Sequence, residues 1–259
     1  MTRQSHSDGS SIRPRFLMPD SSDTTLSRRE REQRRRRRAM LQAAQSVFAE
    51  KGYEQATLEE IAKRAEFGKG TLYNYFEDGK EGLLFATFDE VYDDLDGMIR
   101  STFDGVDTAE YSFRAAFHEL VVRSFAYYEE REDLFLILIR EAHRLCFSND
   151  VEKAAYFQEQ QQRMIDALTP AVQTAVDEGR IAPLPPQSVA HMLLEVVHDL
   201  IVRRCLTEHS DENDAACVCQ SDAPLLHDPE AAADFLTALL FDGLENDSRE
   251  DGASRSPTP

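Results

Sequence analysis

The residues of this chain best suited to recognition chemistry sit together in Lys69-Gly70-Thr71-Leu72-Tyr73-Asn74-Tyr75-Phe76. On a short helix Leu72 and Phe76, four apart, share one face and can enter a small core with Leu58, Ile61 and Val47. Lys69, Gly70, Thr71, Tyr73, Asn74 and Tyr75 are then left facing outward, and two outward tyrosines and a threonine make sense if something covers them. Tyrosine hydroxyls donate to phosphates. Threonine offers a methyl to thymine and a hydroxyl to a base edge or phosphate, and glycine lets a backbone come close. The set suits a non-covalent grip on nucleic acid. A nucleophile elbow, a phosphate loop and a metal triad are all missing, so neither an enzyme nor a cofactor is expected.

Three segments must hold that cluster in place. Thr57-Leu58-Glu59-Glu60 fits a capping box, and Leu58, Ile61, Ala62 and Ala65 follow at i, i+3, i+4 and i+7. Glu66 to Gly70 reads as a turn, Thr71–Phe76 as a second short helix, and Glu77-Asp78-Gly79-Lys80 as its end. Ahead of both, Ser27 to Glu50 is helical, Arg-rich to Arg38 and then apolar at Met40, Leu41, Ala44, Val47 and Phe48, with Gly52 as its C-cap. Two short helices joined by a glycine-containing turn and crossed by a preceding helix are the layout of a helix-turn-helix DNA reader. Charge agrees with that layout. The chain carries a net charge of −19, yet residues 27–81 hold thirteen Lys/Arg against ten Asp/Glu, whereas residues 82–259 hold thirteen against thirty-five. Of the Arg34–Arg38 run, Arg35 and Arg38 are the residues assigned to backbone or minor-groove contacts.

The combination of Thr57-Leu-Glu-Glu-Ile-Ala-Lys-Arg-Ala, Gly68-Lys-Gly-Thr-Leu-Tyr-Asn-Tyr-Phe and Lys80-Glu-Gly-Leu-Leu resembles the N-terminal domain of TetR-family transcriptional regulators over about residues 34–85. The loop Glu77-Asp78-Gly79 is one residue longer than the commonest form. The resemblance implies that Thr57 and Lys80 contact phosphates on either side of the motif. It implies that Thr71 and Tyr73, with Lys69, Gly70, Asn74 and Tyr75, form the surface that reads a palindromic double-stranded operator. It further implies a homodimer formed through residues 186–208 and 229–245, and a small-molecule effector that tilts the helix starting at Glu81 and releases the DNA.

With 41% hydrophobic residues and only 11 glycines and 10 prolines in 259 residues, long stretches escape helix breakers, and an all-α fold follows. The expected organisation is a flexible arm at 1–26, a helix-turn-helix domain at 27–80, a helical ligand-binding and dimerisation domain at 81–245, and a disordered tail at 246–259. Body helices are expected near 81–103, 110–130, 132–147, 151–179, 186–208 and 229–245, with Pro170 kinking or dividing the fourth. Segment 209–228 reads as irregular. No apolar run is long enough to span a membrane and no signal peptide is evident, so the expected location is cytoplasmic. Candidate pocket residues are Phe113, Phe117, Phe125, Tyr128, Phe135, Ile139, His143, Tyr156, Met164 and Leu168, although core packing explains most of them equally well. Cys146, Cys205, Cys217 and Cys219 are too scattered for a disulfide framework, and no metal site is assigned. Two other readings stay open: a helical protein-interaction module, and a metal- or redox-responsive regulator using Cys217 and Cys219.

Overall fold

Five of the helices begin at a side chain that accepts from their first free amides. Ser27 accepts from Glu30 N and Thr57 from Glu60 N, each in a reciprocal capping box, while Ser112, Asp150 and Asp228 cap later helices through their side chains. The computed structural model describes residues 27–104, 112–148, 150–208 and 223–243, so the expected arm and tail lie outside the described residues. The elements are α1 (Arg28–Gln55), α2 (Leu58–Arg64), α3 (Lys69–Tyr75), α4 (Lys80–Phe103), α5 (Phe113–Glu129), α6 (Glu132–Cys146), α7 (Val151–Asp177), α8 (Pro186–Glu208), α9 (Ala223–His227) and α10 (Pro229–Phe241). Among the described residues there is no strand, and the fold is all-α: a three-helix helix-turn-helix unit followed by a larger helical body.

The small unit is built on one cluster. Met40, Leu41, Ala44, Val47 and Phe48 of α1 are buried with Ile61 and Ala62 of α2, Leu72 of α3, and Phe76, which caps α3. Truncating one of its large members, such as Phe48, to alanine would cost about 3–5 kcal/mol. The same core runs into Leu83 and Leu84 at the start of α4, so the reader and the body share packed side chains. In the body α7 packs on α4 and α8, α10 packs on α5, and α6 lies against α1. Phe113, Phe117, Phe125, Tyr128 and Leu168 are fully buried there, and Phe241 of α10 closes on the rings of Phe113 and Phe117.

Several boundaries differ from those read in the sequence. Gly52, at φ +76°, breaks α1 as expected, but a further helical turn runs on to Gln55 before the chain extends at Ala56. Helix α3 starts two residues early, because Gly68 takes the N-cap and its carbonyl accepts from Thr71 N (2.9 Å) and Leu72 N (3.3 Å). Pro170 does not divide α7, which is unbroken from Val151 to Asp177. A proline removes one backbone hydrogen bond, and the packed face of Ile165, Leu168, Val172 and Ala175 on both sides of it holds the helix together. Segment 223–227, read as irregular, forms the single turn α9, which docks Leu226 in the interior. Helix α10 stops at Phe241, where Gly243 at φ +78° supplies the left-handed residue that ends many helices.

Candidate nucleic-acid interface

The turn between α2 and α3 sets their angle. Glu66 is left-handed at φ +61°, Phe67 N donates to Ala62 O (3.0 Å), and Glu66 N donates to Lys63 O (3.2 Å). This paired pattern closes the end of α2, and Phe67 packs on the core as the accompanying apolar contact. Arg64 reaches back from α2 to α1, binding Glu50 through both guanidinium nitrogens and Ser46 at 2.8 Å. Leu72 and Phe76 are 1% and 5% exposed, so α3 is anchored by the two residues that its sequence assigns to the core.

The other faces of α3 project outward. Lys69, Gly70, Tyr73 and Asn74 are exposed, while Thr71 and Tyr75 are half-buried. Lys69 pairs with Glu59 of α2, which raises its pKa and holds the Glu59 carboxyl below the usual range. Tyr73 is 43% exposed, and one edge of its ring rests on Gly79. A Cβ on Gly79 would stand 3.1 Å from Leu58 Cδ1 and 3.3 Å from Tyr73 Cε1, and its φ of +60° disfavours any other residue. The loop before Lys80 therefore ends in a glycine that makes room for the Tyr73 ring.

Thr57 and Lys80, expected to bracket the motif, are both engaged within the protein. Thr57 Oγ1 lies 3.0 Å from Glu60 Oε2 and accepts from Glu60 N. The Glu60 carboxyl is held below its ordinary range first by Lys51 and then by Thr57. Lys80 Nζ donates to the carbonyls of Tyr53 (2.8 Å) and Glu54 (3.1 Å) and lies 4.5 Å from the centre of the Tyr53 ring. The ammonium thus ties the end of α1 to the start of α4 instead of projecting into solvent, because the last carbonyls of a helix attract a cation.

The arginine run is also sorted by the helix. Arg34 and Arg37 reach α3, lining with Glu30, Gln33 and Tyr75 a notch of about 260 Å³, while Arg35 and Arg38 are exposed. Arg37 stacks over the Phe76 ring at 5.3 Å, and Arg36 pairs with Glu32 at 2.9 Å.

Polar contacts that no motif announces connect this unit to the body. Gln45 of α1 donates to Glu90 of α4 at 2.8 Å. Along α4 the acidic row continues: Asp89 accepts from Tyr156 OH (2.9 Å), Asp93 pairs with Arg163 (2.8 Å), and Asp94 accepts from Tyr127 OH (2.9 Å). Lys153 of α7 pairs with Glu81 in the first turn of α4. The signal for this seam was present, since Asp89, Asp93 and Asp96 share one helical face, as do Tyr156 and Arg163.

Most of the candidate pocket residues are packed in or against the core. Phe117, Phe125, Tyr128 and Leu168 are buried, and Phe135 packs edge-on against Tyr127 and Tyr128. Ile139 and Met164 are half-buried against the core, and Tyr156 is tied to Asp89. His143 is exposed and stacks at 5.0 Å on Phe147, itself 80% exposed, so it belongs to the surface and not to an interior cavity. A residue absent from that list, Arg204 of α8, is buried with its guanidinium over the rings of Phe125 (5.6 Å) and Tyr128 (5.3 Å) and 2.8 Å from Glu129. Cys217 and Cys219 lie outside the described residues. Cys146 is exposed with its thiol pushed up by partial burial, and Cys205 is buried. Among the described residues no three metal-ligating side chains cluster, and no helix is long and apolar enough to cross a membrane.

A small helix-turn-helix with an outward recognition helix, fused to a helical body, defines a class of DNA-binding proteins. Residues 40–87 match the family model of bacterial regulatory proteins of the TetR family. Over these residues the chain resembles the DNA-binding domain of that family. It is 28% identical over 171 residues to an uncharacterized HTH-type transcriptional regulator, YhgD, of Bacillus subtilis, covering 62% of this chain and 80% of that one. It is 28% identical over 173 residues to the HTH-type transcriptional repressor AcnR of Corynebacterium efficiens, covering 67% and 83%. Its fold is shared with the transcriptional regulator FadR of Bacillus subtilis in complex with stearoyl-CoA, at a TM-score of 0.60 and 20% identity over 80% of this chain and 98% of that one.

Proposed function

We propose that this regulator is a homodimeric repressor that reads a palindromic operator with α3 and leaves it when a small molecule enters the body. The observation that carries the reading is the division of α3: Leu72 and Phe76 fix it to the core, while Lys69, Gly70, Tyr73 and Asn74 stand free of that core. Residues 27–80 are the DNA-binding domain and 81–245 the regulatory body. Tyr73, Asn74, Thr71 and Gly70 meet the major groove, and Thr57, Lys69, Tyr75, Arg35 and Arg38 meet the backbone. Lys80 positions the motif from beneath.

Dimerisation through α8 and α10 is supported by apolar side chains left outside the monomer's core. Met192 and Leu206 of α8 and Phe235 of α10 are 47%, 43% and 46% exposed, whereas Leu193, Val197 and Leu236 of the same helices are buried. A twofold dimer would set two recognition helices about 34–36 Å apart, in successive major grooves. The effector carries a long apolar chain, a reading supported by the aromatic-rich body and by the stearoyl-CoA held in the FadR structure. By linkage, a ligand that weakens DNA binding must bind the DNA-bound form less tightly. The test is a gel-shift assay on DNA flanking the protein's own gene, with long-chain acyl-CoA as the first effector titrated. Selective retardation, lost on Tyr73→Ala, supports the reader, and release by acyl-CoA supports the effector class. Retardation of every duplex alike overturns the reader.

A further inference from the structure

Helix α1 overruns its own core. Every residue from Arg28 to Arg38 is exposed, and burial starts only at Met40. At 1.5 Å per residue the overhang is about 16 Å long. Its inner stripe can be followed backward in helical steps: Phe48, Ala44 and Leu41 are buried on the core, and the next positions on that face are Arg37, Arg34 and Glu30. The stripe that is apolar over the core becomes cationic once the core ends, and it still faces the edge of the recognition helix. Arg34, Arg37 and Tyr75 meet there in the notch, with Gln33 and Glu30 at its sides.

We propose that this notch is a seat for one backbone phosphate of duplex DNA, which makes the overhang of α1 an extension of the recognition surface; the proposal rests on the reading of α3 as the DNA-contacting helix. Two guanidinium groups supply planar N–H donors matched to phosphate oxygens, and the Tyr75 hydroxyl adds a third donor from the other helix. Arg37 is held for this by its stack on Phe76, which the core fixes. The carboxylate at the side of the notch is engaged locally: Glu30 Oε2 accepts from Ser27 N at 2.8 Å, within the capping box, while the charge of Arg34 helps hold it ionised. Arg36 is occupied by Glu32 on the flank. A backbone contact of this kind adds affinity and fixes register without reading sequence.

Salt-dependent binding of the full-length protein to its operator and to a random duplex separates the possibilities, using wild type, Arg34→Gln/Arg37→Gln, Tyr75→Phe and the charge-matched control Arg28→Gln/Arg29→Gln. Arg34, Arg37 and the control positions are exposed, and an unchanged melting temperature verifies the fold of each variant. The seat predicts that the Arg34/Arg37 variant binds both duplexes roughly tenfold more weakly near 0.1 M salt, with the log–log salt slope shallower by about one. Tyr75→Phe should follow in the same direction, and the control should keep most of its affinity and slope. Equal losses in the two double variants would mean a diffuse charge cloud and no seat. A loss confined to the operator would mean base or minor-groove reading and would equally overturn it. Failure of the underlying reading is visible separately, as a wild-type protein that does not prefer its operator.

Discussion

Single side chains decide whether α3 is presented or withdrawn. Gly79 is the sharpest case, because a methyl there meets both Leu58 and Tyr73 and the backbone is left-handed. Gly79→Ala should lower stability by about 1–2 kcal/mol in denaturant titrations and weaken DNA binding beyond that, since the strain is relieved by moving Tyr73. Thr57→Ala removes one cap and should cost about 1 kcal/mol, with the amides at the start of α2 exchanging faster. Glu90 gives a pH signature. Burial raises its carboxyl above the usual range and Asp94 adds to the rise, while Gln45, Arg37 and Arg38 oppose it. The folded state therefore holds this proton more tightly than the unfolded chain, and ionising it costs stability as pH rises through the raised value. Glu90→Gln keeps an acceptor for Gln45 and should raise the melting temperature at pH 8, the gain shrinking as pH is lowered toward 5. A gain that is the same at every pH would show that the carboxylate is not penalised by its site.

At the level of helices, Pro170 offers a direct check. It is exposed in an unbroken α7, so Pro170→Ala restores a backbone hydrogen bond at a position that already has helical geometry. An increase in stability of about 1–3 kcal/mol is expected in thermal or denaturant unfolding; no change or a loss would mean that the ring is needed where it lies. Pro170 also shows what was legible in the chain. Starts with a local cause were readable: the capping box at Thr57, the i, i+3, i+4 apolar pattern behind it, and the anchoring pair Leu72 and Phe76. Features set by packing were not. A proline's effect depends on whether neighbouring helices hold both halves, and α9 is too short to show a period. The direction of each arginine in 34–38 depends on where the core ends. His143 could be placed on a helix but not inside or outside it, and Arg204 could not be told from Arg203, although Arg204 is the one buried over two rings.

Among the described residues, the reader is joined to the body through shared core side chains at Leu83 and Leu84, the Gln45–Glu90 bond, the Lys80 tie to the end of α1, and α6 packed on α1. On the proposed mechanism, an effector that displaces α4 or α6 would carry the recognition helix with it. The distance between two such helices matters only if the protein pairs. Met192→Glu combined with Phe235→Glu should convert a dimer to a folded monomer in sedimentation velocity and reduce operator affinity at least a hundredfold, because half-site binding loses the gain of a second attached reader. The charge distribution helps at this scale too: basic residues concentrate at α1–α3 while the acidic remainder repels DNA elsewhere, so non-specific binding should fall steeply with salt.

The most direct measurement is the ratio of operator to random-duplex affinity, taken by fluorescence anisotropy at about 0.15 M salt for the wild-type protein and for Tyr73→Ala. A wild-type ratio of roughly 10³ or more, falling by at least tenfold in the variant while its melting temperature holds, is the expected result. A ratio near one for the wild type, or one that Tyr73→Ala leaves untouched, would contradict recognition by α3.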